Sequence, residues 1–273
     1  MHPHTSRLAI GDVTLAYSRR GAGEPVLFIQ GVGVHGHGWQ PQVEALSSSF
    51  DCLWFDNRGI GESTPIPKTL TIREMADDAA ALMAAQGWTA AHVVGHSMGG
   101  LIAQRLALTH RSRVKSLSLL CTFARGRDAG ASARMAWVGL RSRVGPRRWR
   151  RAAFLEMLAP GDALRGVDRE SYAAALAPLF GHDLADHSPM EMRQLSAVRR
   201  EDVSAELAQL AGLPTLVVSG AHDPIVPPAI GADLAAAISG ARFVVLDDQS
   251  HGAPILAAER INALLRDHIA AVR

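Results

Sequence analysis

Cysteine is nearly absent from this chain: two in 273 residues, Cys52 and Cys121. Both sit in apolar, strand-like runs, so buried free thiols are expected and a disulfide framework is not. Long apolar runs are missing as well. None approaches the roughly 18 residues that a membrane-crossing helix requires. The opening residues, Met1-His2-Pro3-His4-Thr5, lack a basic stretch followed by an apolar one, so they do not read as an export signal. A cytoplasmic location is the expectation. Net charge is only +2, and no nucleic-acid-binding motif accompanies it, so no nucleic-acid partner is expected. The glycine-rich turn Gly95–Gly100 fits neither G-x-x-x-x-G-K-[ST] nor G-x-G-x-x-G, which argues against a phosphate-binding loop there. No internal repeat is visible, which removes solenoids and propellers.

What is present is an ordinary globular composition, 48% hydrophobic and 20% charged, long enough for a sizeable core. Strand-like runs recur near Val13–Tyr17, Val26–Ile29, Cys52–Phe55, His92–Val94, Val114–Leu120, Leu216–Ser219 and Arg242–Leu246. Runs such as "VLFI" and "TLVVSG" are apolar throughout, as strands covered on both faces are. Helical patterns separate them. Thr71 and Glu74 form a capping box, Ile72, Met75, Ala76, Ala79, Leu82 and Met83 make one apolar stripe, and Gly87 is placed to end the helix. A last helix from about Ala257 carries Ile261, Leu264, Leu265 and Ile269 on one face. The pattern predicts an α/β fold with a mostly parallel central sheet flanked by helices.

Residues 125–206 interrupt the alternation. They show no convincing strand, are rich in Ala, Leu and Arg, and include Pro146, Pro160, Pro178 and Pro189. An inserted helical cap over one sheet edge is the expectation, leaving a core made of residues 1–124 and 207–273. The stretch Arg125–Arg151 holds nine Arg and one acid, Asp128. Its densest part, "RVGPRRWRR" (Arg143–Arg151), reads either as a solvated helix face or as an entrance that draws in anionic substrates.

The chemistry centres on "VVGHSMGGLIAQ". Gly95-His96-Ser97-Met98-Gly99 is G-x-S-x-G with a strand before it and a helical pattern after it, the context in which this motif holds a nucleophile. The tight turn exposes the serine Oγ at a helix N-terminus, where the dipole favours developing negative charge. The bland reading is a serine N-cap in a glycine-rich turn. A serine hydroxyl needs a base, and the base needs an orienting acid. Among twelve histidines, His251 in "LDDQSHGAP" follows the last strand directly, on the edge that carries the serine turn. His2 and His4 are expected in a loose terminus. For the acid, "VVSGAHDPIVPP" places Asp223 just past Leu216–Ser219, although an Asx-turn before Pro224 would account for it too. Asp247 and Asp248 end their strand and are expected to point away. After Val114–Leu120 no carboxylate appears until Asp128. Ser97, Asp223 and His251 are therefore the expected catalytic residues.

With these residues in place the sequence resembles the α/β-hydrolase superfamily, as a serine hydrolase with a helical cap. "FDNRGIGES" (Phe55–Ser63) is similar to its D-x-R-G-x-G-x-S turn, "SGAHDPIVP" to its acid loop, and the segment from Ser250 to its histidine loop and final helix. The order Ser97, Asp223, His251 is the family's own. Asp56, Arg58, Gly59 and Gly61 are expected to shape a loop. The resemblance implies oxyanion donors at the backbone N–H groups of Val32 and Met98, and neither cofactor nor metal. One departure stands out: where relatives carry His-Gly, this chain has Gln30-Gly31. Gln30 is expected either to brace the loop or to meet substrate, and His35 in the same glycine-rich loop is a candidate substrate contact. His35 and His37 without an acidic or cysteine partner do not make a metal site.

The implied activity is hydrolysis of a small-molecule carboxylic ester through an acyl-enzyme on Ser97. Lactone or enol-lactone hydrolysis follows closely, helped by the non-His oxyanion loop. Carbon–carbon bond hydrolysis, cofactor-free perhydrolysis or haloperoxidation, and a ligand-binding receptor with an idle triad remain as alternatives. Oligomeric state is not legible.

Overall fold

The structure, a computed structural model, describes residues 5–65 and 68–272. His2 and His4 lie outside them. Eight strands form one sheet in the order β1-β2-β4-β3-β5-β6-β7-β8. They are β1 (Ser6–Ile10), β2 (Val13–Arg20), β3 (Glu24–Ile29), β4 (Phe50–Phe55), β5 (Ala91–His96), β6 (Val114–Leu120), β7 (Thr215–Gly220) and β8 (Arg242–Leu246). The β1–β2 and β2–β4 pairs are antiparallel, and every later pair is parallel. All seven expected strands are present. The additional one, β1, pairs with β2 through a two-residue turn at Gly11-Asp12, where Gly11 has φ 57. That left-handed conformation costs glycine little, which is why glycine opens such turns.

Alternation along the strands builds two cores. Val26 and Phe28 of β3, Cys52 and Trp54 of β4, and Leu216 and Val218 of β7 face α1 (Gln40–Leu46) and α10 (Ala258–Ala270). Their neighbours Leu27, Ile29, Leu53, Phe55 and Val217 face α2 (Ile72–Ala85), α3 (Met98–Thr109) and α8 (Pro228–Ala237). A side-chain period of two thus serves both faces at once, and the strands read as continuous apolar runs. The capping box of α2 forms: Thr71 Oγ1 accepts from the Glu74 N–H at 3.1 Å, and Glu74 Oε2 accepts from the Thr71 N–H at 2.8 Å. No helix among the described residues is long and apolar enough to cross a membrane.

From β3 the chain passes to β4 on one side, and after α2 it returns to β5 on the other. The crevice between the C-terminal ends of β3 and β5 is a topological switch point, where open α/β sheets bind ligands. The turn after β4 is fixed beside it. Asp56 Oδ1 accepts from Gly36 N–H at 2.7 Å and Oδ2 from Glu62 N–H at 3.0 Å, while Arg58 is ion-paired with the buried Asp78 of α2.

Between β6 and β7 lie α4 (Ala133–Arg141), α5 (Arg147–Leu158), α6 (Arg169–Phe180) and α7 (Glu191–Arg200), with no strand. The two ends of this insertion are stitched together: Gly126 N–H donates to Glu201 O and Val203 N–H to Ala124 O, both at 3.0 Å. Leu155, Leu158, Leu164, Leu176 and Phe180 give it a core of its own, joined to the sheet side through Val34.

Candidate active site

Ser97 occupies the single residue between β5 and α3, with φ 54 and ψ −119. Only Cys121 shares a positive φ among the described non-glycine residues. Such a backbone costs about 1–3 kcal/mol and persists only where its surroundings impose it. Here they do. The Ser97 N–H donates to Leu120 O at 3.0 Å, and its carbonyl accepts from Thr122 Oγ1 at 2.6 Å. A methyl group on Gly95 would overlap the Gly99 carbonyl, and one on Gly99 would overlap the Ile29 carbonyl. The two glycines of the motif are thus fixed by close backbone approach.

Asp223 and His251 come off the ends of β7 and β8 to meet beside this turn. His251 Nδ1 lies 2.7 Å from Asp223 Oδ2, and both side chains are buried. The other carboxylate oxygen, Oδ1, accepts from Ile225 N–H at 2.9 Å and Val226 N–H at 2.8 Å. One carboxylate oxygen thus serves the turn and the other faces His251. An ionised carboxylate only accepts, so this contact places the imidazole proton on Nδ1 and leaves the Nε2 lone pair free. Ser97 and His251 line one cavity. No hydrogen bond joins Ser97 Oγ to the imidazole in the described structure, a spacing common before substrate is bound. Asp248 instead pairs with Arg260 on the surface.

The loop after β3 supplies the facing wall. Gln30 Oε1 accepts from Gly31 N–H at 2.9 Å, and the Gln30 carbonyl accepts from Asn57 Nδ2 at 3.0 Å. Gly33 N–H donates to Gln194 Oε1 of α7 at 2.8 Å. Its two neighbours are engaged, whereas the Val32 N–H has no partner among the described residues. At the other side, Gly100 and Leu101 N–H both turn back to Ser97 O, and Met98 N–H has no partner outside its helix among the described residues. Gln30 thus braces the loop and does not line the cavity. His35 does not line it either, because its ring packs against Gly181 and 6.2 Å from the His182 ring.

His96 Nε2 lies 3.0 Å from the His251 carbonyl, and Nδ1 lies 3.4 Å from Gln30 Oε1. Burial, with His251 adjacent, pushes its pKa down to about 3, so it stays neutral. His96, Cys121 and His251 bring their ligand atoms within 4.8 Å of one another. That trio is a poor metal cage. Burial and the nearby Asp223 hold the Cys121 thiol well above its ordinary pKa, and His251 Nδ1 is committed to Asp223.

The cavity above Ser97 has a volume of about 510 Å³. Its walls are mainly apolar, with Phe123, Phe154, Met157, Phe180, Val198 and Ile225 prominent. At one end stands a charged group that the sequence did not disclose. His187 Nδ1 lies 2.5 Å from Glu191 Oε2, His187 Nε2 lies 2.8 Å from the Ser142 carbonyl, and Arg143 pairs with Glu191 Oε1. Each imidazole nitrogen faces an oxygen acceptor, whereas a neutral ring has one N–H. The geometry therefore calls for imidazolium, and the Glu191 hydrogen bond raises the His187 pKa against the opposing effects of burial and Arg143. This latch ties the C-terminus of α4 to α7. The i, i+4 spacing of His187 and Glu191 was its only local signal.

The sign of its pH dependence follows. A raised folded-state pKa contributes stability that is fully present below the unfolded value and lost as pH rises through the folded one. The stability gap between wild type and His187→Gln is therefore expected to be on the order of 1 kcal/mol near pH 6, shrinking above the ordinary histidine pKa of about 6.5. Urea titrations across that range measure it. A gap independent of pH would show that His187 carries no proton in the latch.

The Arg-rich stretch is largely neutralised by acids of the insertion. Arg147 pairs with Asp183 and Asp186, Arg151 with Asp183 and Glu170, and Arg141 with Glu156. Arg143 alone of Arg143–Arg151 lines the cavity.

Comparison with known proteins agrees with this architecture. The family model described as alpha/beta hydrolase fold matches residues 24–258. A protein of Azorhizobium caulinodans, provisionally named carbamate hydrolase RutD, is 30% identical over 261 residues, covering 93% of this chain and 94% of its own. Among solved structures, a thermophilic esterase from Thermogutta terrifontis superposes with a TM-score of 0.81 at 28% identity, covering 98% of this chain and 99% of that one. The enol-lactonase from Burkholderia xenovorans LB400 gives 0.82 at 27% identity, covering 97% and 100%. Sheet order, the strained serine turn and the family match agree, and the chain belongs to the alpha/beta hydrolase fold family.

Proposed function

We propose that this protein is a serine esterase acting on a small, largely apolar carboxylic ester, with Ser97 as nucleophile, His251 as base, Asp223 as its orienting acid and residues 125–206 as a cap. The carrying observation is the 2.7 Å Asp223–His251 contact, with the His251 imidazole opening on the same cavity as the strained Ser97. In this reading His251 Nε2 takes the Oγ proton as Oγ bonds to the carbonyl carbon. The carbonyl π pair moves to oxygen, and the unengaged Val32 and Met98 N–H groups receive the oxyanion; one such donor is typically worth about 10²–10³ in kcat. Collapse expels the alcohol with the proton held by His251. Water then repeats the sequence on the acyl-enzyme, releasing the acid and restoring Ser97.

The names of the relatives support a common chemistry, since esters, enol-lactones and carbamates all present an acyl carbonyl to a nucleophile. The cavity volume lies within the range of small-molecule sites. A lactone substrate is the second reading, favoured by Gln30-Gly31 in place of His-Gly and by the enol-lactonase likeness. A panel of p-nitrophenyl esters of graded chain length, run beside lactones, separates the two. Ester turnover with a fluorophosphonate adduct on Ser97 is the expected result. Lactone turnover without ester turnover would select the second reading, and an adduct elsewhere would remove Ser97 as nucleophile.

A further inference from the structure

The cap turns outward side chains that proteins usually hide. Trp137 is 60% exposed, Val144 62% and Trp149 56%, with Leu140 and Met192 exposed to a similar degree. Along α4 the inward positions are Met135 and Val138. Trp137 and Leu140 therefore share the outer face, and Val144 continues it one turn on. Trp149 folds back over this turn, with its ring against Gly145. Between residues 133 and 150 there are six arginines and no acid. Arg141, Arg143 and Arg147 are neutralised from elsewhere in the cap, whereas no ion pair reaches Arg134 or Arg148 among the described residues. Arg148 lies instead over the Trp149 ring, 5.8 Å from its centroid. Leu140 and Met192 also line the cavity, so this apolar, cationic face is continuous with the mouth of the site.

We propose that this face docks on an anionic lipid surface. Trp137, Leu140, Val144 and Trp149 seat at the boundary of headgroups and acyl chains, and Arg134 and Arg148 meet lipid phosphates. Tryptophan prefers that boundary because its ring is apolar and its N–H polar, and arginine is held by the negative surface potential. A single peripheral patch gives reversible attachment, not insertion. A second copy of the chain is a worse fit, since two such faces would set like charges against each other. The consequence for the proposed esterase is that an amphiphilic ester would reach the cavity from the lipid side. Docking itself is measured without turnover, so its failure is distinct from failure of the esterase reading.

The experiment is flotation of the full chain with vesicles of phosphatidylcholine alone or mixed with phosphatidylglycerol, read together with tryptophan emission. Wild type is expected to float with the mixed vesicles, with blue-shifted emission, and to stay free of the neutral ones. Trp137→Ser/Trp149→Ser should weaken binding about tenfold or more, and Arg134→Gln/Arg148→Gln should remove the preference for anionic lipid. Neither pair lines the cavity, so hydrolysis of a soluble ester should be unchanged in both variants, which also reports that they fold. Absence of wild-type flotation overturns the proposal, as does unchanged flotation of the tryptophan variant. A dimer in sedimentation that the tryptophan variant dissolves, or an acidic protein partner bound in place of vesicles, would equally overturn it.

Discussion

Ser97→Ala is expected to lower kcat on the best ester by about 10⁴-fold or more while leaving the fold intact. Neither half of that expectation is automatic. A serine at φ 54 sits in a strained turn, and substitutions in strained turns often unfold proteins. Alanine, however, bears the same backbone strain, and Ser97 Oγ makes no hydrogen bond whose loss would leave a buried partner unsatisfied. The tethers of the turn are backbone groups: Ser97 N–H to Leu120 O and Ser97 O to Thr122 Oγ1. They survive the substitution. The thermal midpoint should therefore stay within a degree or two, consistent with a stability change below about 0.5 kcal/mol. KM should change little, because the cavity walls that hold the ester are untouched. Residual turnover would come from the oxyanion donors and from binding alone, roughly 10³–10⁴ over water in comparable sites. Steady-state kinetics with stopped-flow detection of the acylation burst checks both halves. A variant that keeps a tenth of the wild-type kcat would show that another group attacks the carbonyl.

The sequence disclosed different parts of the site to different depths. The placement of Ser97, Asp223 and His251 at one sheet edge was legible because each lies within a few residues of a strand end, and strands announce themselves through apolar runs. Their meeting in space then follows from the parallel strands β3 to β8, which deliver their C-terminal ends to one edge. The hairpin of β1 was legible in principle, since Gly11-Asp12 separates two alternating runs. It was obscured by the polar composition of an edge strand, in which Ser6, Arg7 and Ala9 are exposed. Gln30 left two readings, and the fold around it decides between them. Its side chain folds back on Gly31 N–H because burial demands a partner for the amide oxygen. His35 looked like a substrate contact from its place in a glycine-rich loop. The helical insertion displaced it, since the ring packs against Gly181, at the C-terminal end of α6.

The helical insertion resisted reading for a physical reason. Its contacts join residues far apart in sequence, as Arg143 to Glu191 and Arg147 to Asp186 do, and no local periodicity encodes which arginine meets which acid. Charge counting alone left two readings of the Arg-rich stretch, a solvated helix face or a cationic entrance. Pairing reduces it to a few unneutralised guanidinium groups beside exposed tryptophans, a surface of different character.

Asp223→Asn should cost about 10⁴ in kcat with little change in KM, through a tautomer and not through lost packing. Asparagine matches the carboxylate in shape. Its Oδ1 can still accept from Ile225 and Val226 N–H, so the loop after β7 should hold. The changed atom is the one facing His251 Nδ1. An amide nitrogen donates there, so Nδ1 must become the acceptor, and the imidazole proton moves to Nε2. Nε2 then faces Ser97 as a donor and cannot take the hydroxyl proton. Asp223→Ala is the informative contrast: it removes the wrong donor as well as the right acceptor, leaves the Ile225 and Val226 amides unpaired, and should therefore lower stability by about 1–3 kcal/mol where asparagine does not. Kinetics and urea titration of the two variants together test the assignment. If Asp223→Asn retained activity within about tenfold of wild type, the orienting carboxylate would have to lie elsewhere. The neighbouring groups offer no substitute. Asp248 is drawn away by Arg260, and Cys121, at the end of β6, keeps its thiol proton because burial and Asp223 both disfavour the thiolate.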